Sequence, residues 1–359
     1  MEVALVYNLK KDDSHTHNSE NPSSQNIIDV STQVTRVNKS ADTYAEWDTI
    51  ETITAVRDAL AHRHTVTMIE ADDGIFDALR SFHPDIVFNI AEGRFGASRE
   101  SQIPAMLEML NIPYTGSDPL TLGICLDKSR AKEILSYYKV PTPKFVVVHS
   151  LSEIRMENLF LPAMVKPLYE GSSKGIFNSS LVRTSHELYE QVEKILTEYN
   201  EPALVEEFLP GREFTVALLG NGSSLQVLPI VEINFDSLPK DVNPIYSFEA
   251  KWIWDEVTNP LDIFTCPARI TSQLQAAIEK ICRDAFSVLR CRDWCRIDVR
   301  LDTNGNPNII ELNPLPGILP NPEENSCFPK AARAAGISYD EMINKVLDAS
   351  FLRLDIAQL

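Results

Sequence analysis

The stretch from residue 296 to 314, "RIDVRLDTNGNPNIIELNP", puts an acidic residue in each of two apparent strands, on either side of Asn304-Gly305. An Asn-Gly pair is the strongest short hairpin signal, because a type I′ turn needs positive φ at both central positions. With that pair at the turn, Ile297, Val299 and Leu301 lie opposite Leu312, Ile310 and Asn308. This face is mostly apolar, and the alternation of both strands agrees on it. The other face sets Asp298 opposite Glu311 and Arg296 opposite Asn313. Facing carboxylates repel unless something positive sits between them. Oxygen donors from Asp, Glu and Asn suit a hard divalent ion such as magnesium, held by one or two carboxylates together with substrate phosphates. The hairpin alone leaves a second reading open, a solvated face on which Arg296 and Arg300 neutralise the acids.

Composition bounds what such a site can serve. A chain of 359 residues exceeds one ordinary core, so about two or three domains are expected. Hydrophobic residues at 44% and charged ones at 23% are ordinary globular values, so a packed core is expected. The net charge of −18 disfavours non-specific binding to nucleic acid or anionic membrane, since both reward clustered Lys and Arg. Any phosphate site must then be local. No apolar run approaches about 18 residues, and the opening "MEVALVYNLKKDD" lacks the basic region and apolar core of a signal peptide, so a cytoplasmic protein is expected. The six cysteines show no CxxC and the seven histidines no HExxH, which favours buried reduced thiols over zinc ligands. Cys291 and Cys295 are spaced to share a helix face, without an evident third ligand.

"VALVY" reads as a first strand, and residues 10 to 45 form a long polar stretch with little periodicity. Helical "WDTIETITAVRDALA", strand "TVTMI", a helix near 75 to 82 and strand "DIVFNI" then alternate, which argues for a parallel sheet covered by helices. "SRESQIPAMLEML" is an amphipathic helix with Ile103, Met106, Leu107 and Leu110 on one face. "NIPYTGSDP" breaks the pattern and marks a domain boundary. A helix from near Asp127, strands "KFVVV" and "AMVKP", a Gly-Ser loop, and a helix opened by the capping box Thr184 to Glu187 follow, and "ALVEEFL" closes a middle domain. Strands "EFTVALL" and "LQVLPIVEI", an irregular stretch near 236 to 268, a helix over about 271 to 289, the hairpin and the helix "YDEMINKVLDAS" complete an α/β (α+β) chain. The expected domains are 1–117, 118–212 and 213–359.

"VKPLYEGSSKGI" places Lys166 at a strand end before a loop of small residues, where backbone amides and hydroxyls can approach phosphate oxygens. It is not a Walker A loop. Taken singly, Lys128 in "LDKSRAK" and Lys251 in "FEAKWIW" read as surface charges. The order is what informs: Lys128, Lys166, the Gly-Ser loop, Glu206-Glu207, Lys251, Arg296, Asp298, Glu311, Asn313, then "PLPG".

With this series the chain resembles the ATP-grasp superfamily, and within it the D-alanine–D-alanine ligase-like proteins. The resemblance covers about three quarters of the chain, from Ile86 onward, through "IPYTGSDPLTLGICLDKSRAK", "VKPLYEGSSKG", "VEEFLPGREFTV", "EAKW", "RIDVRLD", "ELNPLPG" and "FPKAARAAGISYDEMI". It implies a three-domain architecture with ATP between the central and C-terminal domains. Lys128 and Lys166 would hold the α and β phosphates, and Ser172 with Ser173 would close over the nucleotide. Glu206, Glu207, Phe208 and Leu209 would take the adenine, and Glu213 the ribose. Asp298, Glu311 and Asn313 would bind magnesium, two ions being expected and manganese an admissible substitute. Lys251 and Arg296, with Ser172, would stabilise the transferred phosphoryl group, since phosphoryl transfer is mostly positioning and charge neutralisation. The implied reaction phosphorylates a substrate oxygen, after which an amine displaces phosphate to form a C–N bond. A homodimer is implied as well.

The acceptor half departs from the family pattern. The first strand runs into "NLKKDDSHTHNSE" where dipeptide ligases carry a Gly-rich turn and a glutamate, and "AEGRFGASRESQ" has Glu92 where they carry a histidine. Substrate contacts are expected from Glu92, Arg94, Trp252, Arg296, Gly317 and Ser326. The departures point to a specialised ligase similar to the cyanobacterial ones that add serine or threonine to mycosporine-glycine, with Trp252 and Trp254 packing on its ring or else at a domain interface. The alternatives are a D-alanine–D-alanine dipeptide ligase, a nucleotide-binding regulatory protein without catalysis, and a kinase that releases a phosphorylated product.

Overall fold

The computed structural model describes residues 1–10, 46–239, 242–249 and 263–356. Lys251, Trp252 and Trp254 and the polar stretch 11–45 lie outside them.

Strand β1 (Glu2–Tyr7), helix α1 (Ile50–Ala61), β2 (Thr65–Glu70), α2 (Ile75–Phe82) and β3 (Ile86–Asn89) alternate as their apolar periods dictate. The strands form a parallel sheet in the order β2-β1-β3. Helix α3 (Gln102–Leu110) buries Ile103 and Leu107 against it, with Met106 and Leu110 partly buried beside them. The stretch expected as a boundary leads into a helix that the sequence reading passed over, α4 (Pro119–Leu126). Asp118 caps it by accepting from Thr121 N–H at 2.8 Å, and Pro119 occupies the first turn, where no N–H is needed. Helix α5 (Lys128–Tyr137) follows, capped by Asp127.

Strands β4 (Phe145–Val148), β5 (Ala163–Pro167) and β6 (Leu181–Val182), helix α6 (Ser185–Lys194) and β7 (Ala203–Glu207) make an antiparallel sheet in the order β4-β7-β5-β6. The Thr184–Glu187 capping box opens α6, whose Leu188 and Val192 enter a core with Val165 and Val205.

The third sheet holds β8 (Glu213–Leu219), β9 (Gln226–Val227), β10 (Val231–Ile233) and β11 (Phe264–Thr265), and beyond helix α7 (Ser272–Val288), β12 (Trp294–Leu301) and β13 (Pro307–Asn313). Its order is β11-β10-β8-β12-β13, with β9 also on β8. "LQVLPIVEI" is two short strands because Pro229 has no N–H to give a ladder. Helices α8 (Cys327–Ala334) and α9 (Tyr339–Leu354) end the fold. Among the described residues no cysteine forms a disulfide, and Cys125, Cys282, Cys291 and Cys295 are buried. Cys291 precedes β12 and Cys295 lies in it, so the expected helix face is absent.

Packing crosses the sequence order. Cys125, Ala131 and Leu135 of α4 and α5 join the core of the third sheet with Ile297 and Ile309. Phe328, Met342 and Val346 of α8 and α9 join the first sheet's core with Val3, Leu5 and Ile53.

Candidate active site

The β12–β13 hairpin departs from expectation twice, and the two departures offset each other. Of the two central residues only Gly305 is left-handed, at φ 79°, so the turn is not type I′. Gly305 N–H donates to Asp302 O at 3.0 Å and Asp302 N–H to Asn306 O at 2.9 Å, which closes a three-residue loop. Pairing therefore starts one residue off the expected register, with Leu301 opposite Pro307 and Val299 opposite Ile309. A bulge between Asp298 and Val299 then takes up Ile310 as an extra residue. Beyond it Asp298 faces Glu311 and Arg296 faces Asn313, the pairs that the alternation predicts. The bulge also turns consecutive residues, Ile310 and Glu311, toward one cavity, while Ile309 and Leu312 stay in the core.

The charge between the two carboxylates is partly supplied from within. Arg296 lies 3.0 Å from Asp298 and 3.7 Å from Glu311. Arg300, the other arginine of the solvated-face reading, instead pairs with Glu213 at 2.6 Å. Burial opposes ionisation at both acids. At Asp298 burial prevails over Arg296 and the carboxyl is raised. At Glu311 burial is overcome by Lys128, Lys166 and Arg296, which hold the carboxyl at about 2. Two carboxylates and the Asn313 amide form a hard oxygen set, so the residues fit a magnesium ion completed by phosphate oxygens. Among the described residues no group of three or more His, Cys, Asp or Glu forms a closed metal cage.

Lys166 ends β5, almost fully buried, 2.5 Å from Glu206. Lys132 approaches the same carboxylate at 2.9 Å. Despite burial the two lysines keep the Glu206 carboxyl below its usual range. Glu206 is thus committed to lysines as well as facing the cavity. Lys128 opens α5, and its ammonium donates to the Glu170 carbonyl. Burial lowers the Lys128 ammonium, which nonetheless faces Glu311.

The Gly-Ser loop is fastened from two sides. Ser172 and Ser173 are left-handed, at φ 50° and 62°, and Ser173 Oγ donates to Tyr246 O at 3.0 Å. Gly171 N–H donates to Glu46 at 2.9 Å, and a Cβ on Gly171 would lie 2.5 Å from that carboxylate oxygen. Arg99 bridges Glu46 at 2.8 Å and Glu170 at 3.4 Å, and Lys174 holds Glu170 at 2.8 Å. Glu46, Arg99 and Glu170 escaped the sequence reading. Glu46 follows the polar stretch and just precedes α1. A glutamate shortly ahead of the first helix was the available signal.

A cavity of about 440 Å³ is lined by Lys166, Ser172, Ser173, Glu206, Glu207, Phe208, Leu209, Glu213, Arg296, Asp298, Glu311, Gly317 and Ser326. A smaller one of about 100 Å³ adjoins it, lined by Glu92, Glu100, Lys128, Ser172, Arg296, Glu311, Asn313 and Gly317 among others. Ser326 Oγ donates to Gly317 O and accepts from Leu319 N–H, both at 3.2 Å, so it also shapes the loop ahead of α8. Arg94 lines neither cavity, because its guanidinium pairs with Asp73 at the surface. Lys251 and Trp252 lie outside the described residues.

A family model described as D-ala D-ala ligase C-terminus matches residues 135–348. The chain belongs to the D-alanine–D-alanine ligase family. A D-alanine–D-alanine ligase of Bordetella avium is 36% identical over 284 residues, covering 78% of this chain and 83% of that protein. An uncharacterized protein of Sinorhizobium fredii is 38% identical over 298 residues, covering 81% and 84%. The crystal structure of the D-alanine–D-alanine ligase of Bacillus anthracis complexed with ATP has the same fold, with a TM-score of 0.69 over 99% of this chain and 98% of that one at 21% identity. As a member of this family the chain is an ATP-grasp enzyme, an ATP- and magnesium-dependent ligase that forms a carbon–nitrogen bond. No described helix is long and apolar enough to cross a membrane.

Proposed function

We propose that this ligase joins two small amino acids, with D-alanine as the first candidate for both. The observation that carries the reading is the small polar cavity between Arg296, Glu311 and Gly317, opening beside one of nucleotide size. It is about 100 Å³ in volume and bordered by charged and amide side chains, which suits a small amino acid. The relatives named as D-alanine–D-alanine ligases support the same substrates. A mycosporine-glycine acceptor has less support: none of the relatives reported above is named for it, and the tryptophans offered for it lie outside the described residues.

In this reading Lys128 and Lys166 hold phosphate oxygens, Phe208 and Leu209 border the base and Glu213 meets the ribose. Asp298, Glu311 and Asn313 hold magnesium, whose contribution is to neutralise phosphate charge. Arg296 and the Gly317 backbone face the first substrate's carboxyl, keeping its oxygen aimed at the γ-phosphorus. Glu46, Arg99 and the Gly-Ser loop shut out water, so that the amine of the second substrate, not water, displaces phosphate.

Phosphate release with ATP and magnesium should appear with D-alanine alone and give a product mass of two alanines minus one water. Release that requires mycosporine-glycine, with no dipeptide from any single or paired small amino acid, would reject the proposal.

A further inference from the structure

The far end of the large cavity is set by a residue outside the phosphate and metal sets, and this inference rests on the ATP reading above. Arg296, Asp298 and Arg300 are alternate residues of β12, so they share one face at steps of about 6.7 Å. Arg296 borders both cavities and Asp298 belongs to the metal set, so Arg300 lies one step farther from the transferred group, toward the sugar and base.

Arg300 is 6% exposed, and its partners come from four separate segments. Glu213 lies directly across from it on β8, and the two are 2.6 Å apart. Its other terminal nitrogen donates to Pro244 O at 2.7 Å. The guanidinium stands 4.7 Å from the Phe208 ring centre and 5.5 Å from that of Phe235. Phe208 follows β7, the last strand of the middle sheet, so one planar cation ties the third sheet to the segment that joins it to the second. A buried ion pair gains little net stability over its desolvation. Its consequence is geometric: it fixes where the Glu213 carboxylate and the Phe208 ring point.

We propose that Arg300 is a positioning residue for the nucleotide, holding Glu213 against the ribose hydroxyls without touching the reacting phosphate. Lysine keeps the charge but loses the planar fork, so it should serve only in part.

The test is calorimetric binding of ATP and of 2′,3′-dideoxy-ATP to the full chain with magnesium, alongside thermal unfolding. Wild type should prefer ATP by at least about tenfold, the worth of a charge-assisted hydrogen bond. Arg300→Met should weaken ATP about tenfold, leave the dideoxy nucleotide nearly unchanged and so erase the preference, with Arg300→Lys intermediate. A preference that survives in Arg300→Met, equal losses for both nucleotides, or a fall in unfolding temperature with binding intact overturns the inference. So does a wild type that binds both nucleotides alike. A wild type that binds neither removes the ATP reading itself. Should Arg300→Met fail to fold, Arg300→Lys decides, since it keeps the charge and should lower the same preference in part, while an unchanged preference overturns the inference.

Discussion

Glu311 sits where Lys128, Lys166 and Arg296 converge, and their combined charge outweighs its burial. Its carboxyl titrates at about 2 in the folded protein against about 4.3 when unfolded. A carboxyl lowered on folding contributes stability that is full above the unfolded value and is lost as pH falls through the folded one. Glu311→Gln should therefore retain the fold but melt below wild type at pH 7, and the gap should close as pH falls from about 4.3 toward 2. Turnover should drop about 10²–10³-fold because a proposed magnesium ligand is lost, and with it the cation's neutralisation of phosphate charge. Melting curves over pH with single-turnover rates check both, and a gap that persists in acid would refute the charge assignment. The facing of Asp298 and Glu311 was legible because strand alternation fixes which side chains share a face. Glu46 and Arg99 were not, since no periodicity connects them to each other or to Glu170.

At the scale of elements, the bulge at Ile310 and the fastening of the Gly-Ser loop decide the site. The alternation of β12 and β13 placed the facing acids, while the three-residue turn and the bulge came from hydrogen bonds that residue types do not report. The loop between β5 and β6 is held by Arg99, whose side chain is only 9% exposed and whose partners Glu46 and Glu170 are nearly as buried. Arg99→Met would remove the cation between the two carboxylates and leave Glu170 with Lys174 alone. The loop should then open more often, and protease cleavage near Gly171–Gly175 in nucleotide-free protein should speed up by at least about tenfold, equivalent to ~1.4 kcal/mol. Unchanged cleavage would mean that Ser173 and Tyr246 suffice to hold it.

For the whole molecule the decisive contacts run between distant parts of the chain. Asp293, fully buried, accepts from Gly116 N–H at 2.8 Å, from Asn221 at 2.7 Å and from Arg353 of α9 at 2.8 and 3.0 Å. One carboxylate thus joins the approach to α4, the third sheet and the last helix. Asp293→Ala should cost about 3–5 kcal/mol in urea unfolding, the usual effect of breaking a buried charge pair. A loss under about 1 kcal/mol would show that apolar packing alone docks α9.

By itself the sequence determined most of the strands and helices, the family, and the facing of Asp298 and Glu311. Those follow from local period, capping chemistry and the spacing of charged side chains along one strand. Only the tertiary structure decided that α4 and α5 join the third sheet's core, that α8 and α9 close the first, that Glu46 returns to the cavity and that Arg94 leaves it. The physical reason is that burial and ion pairing act between groups far apart in the chain, where sequence distance carries no information about spatial distance.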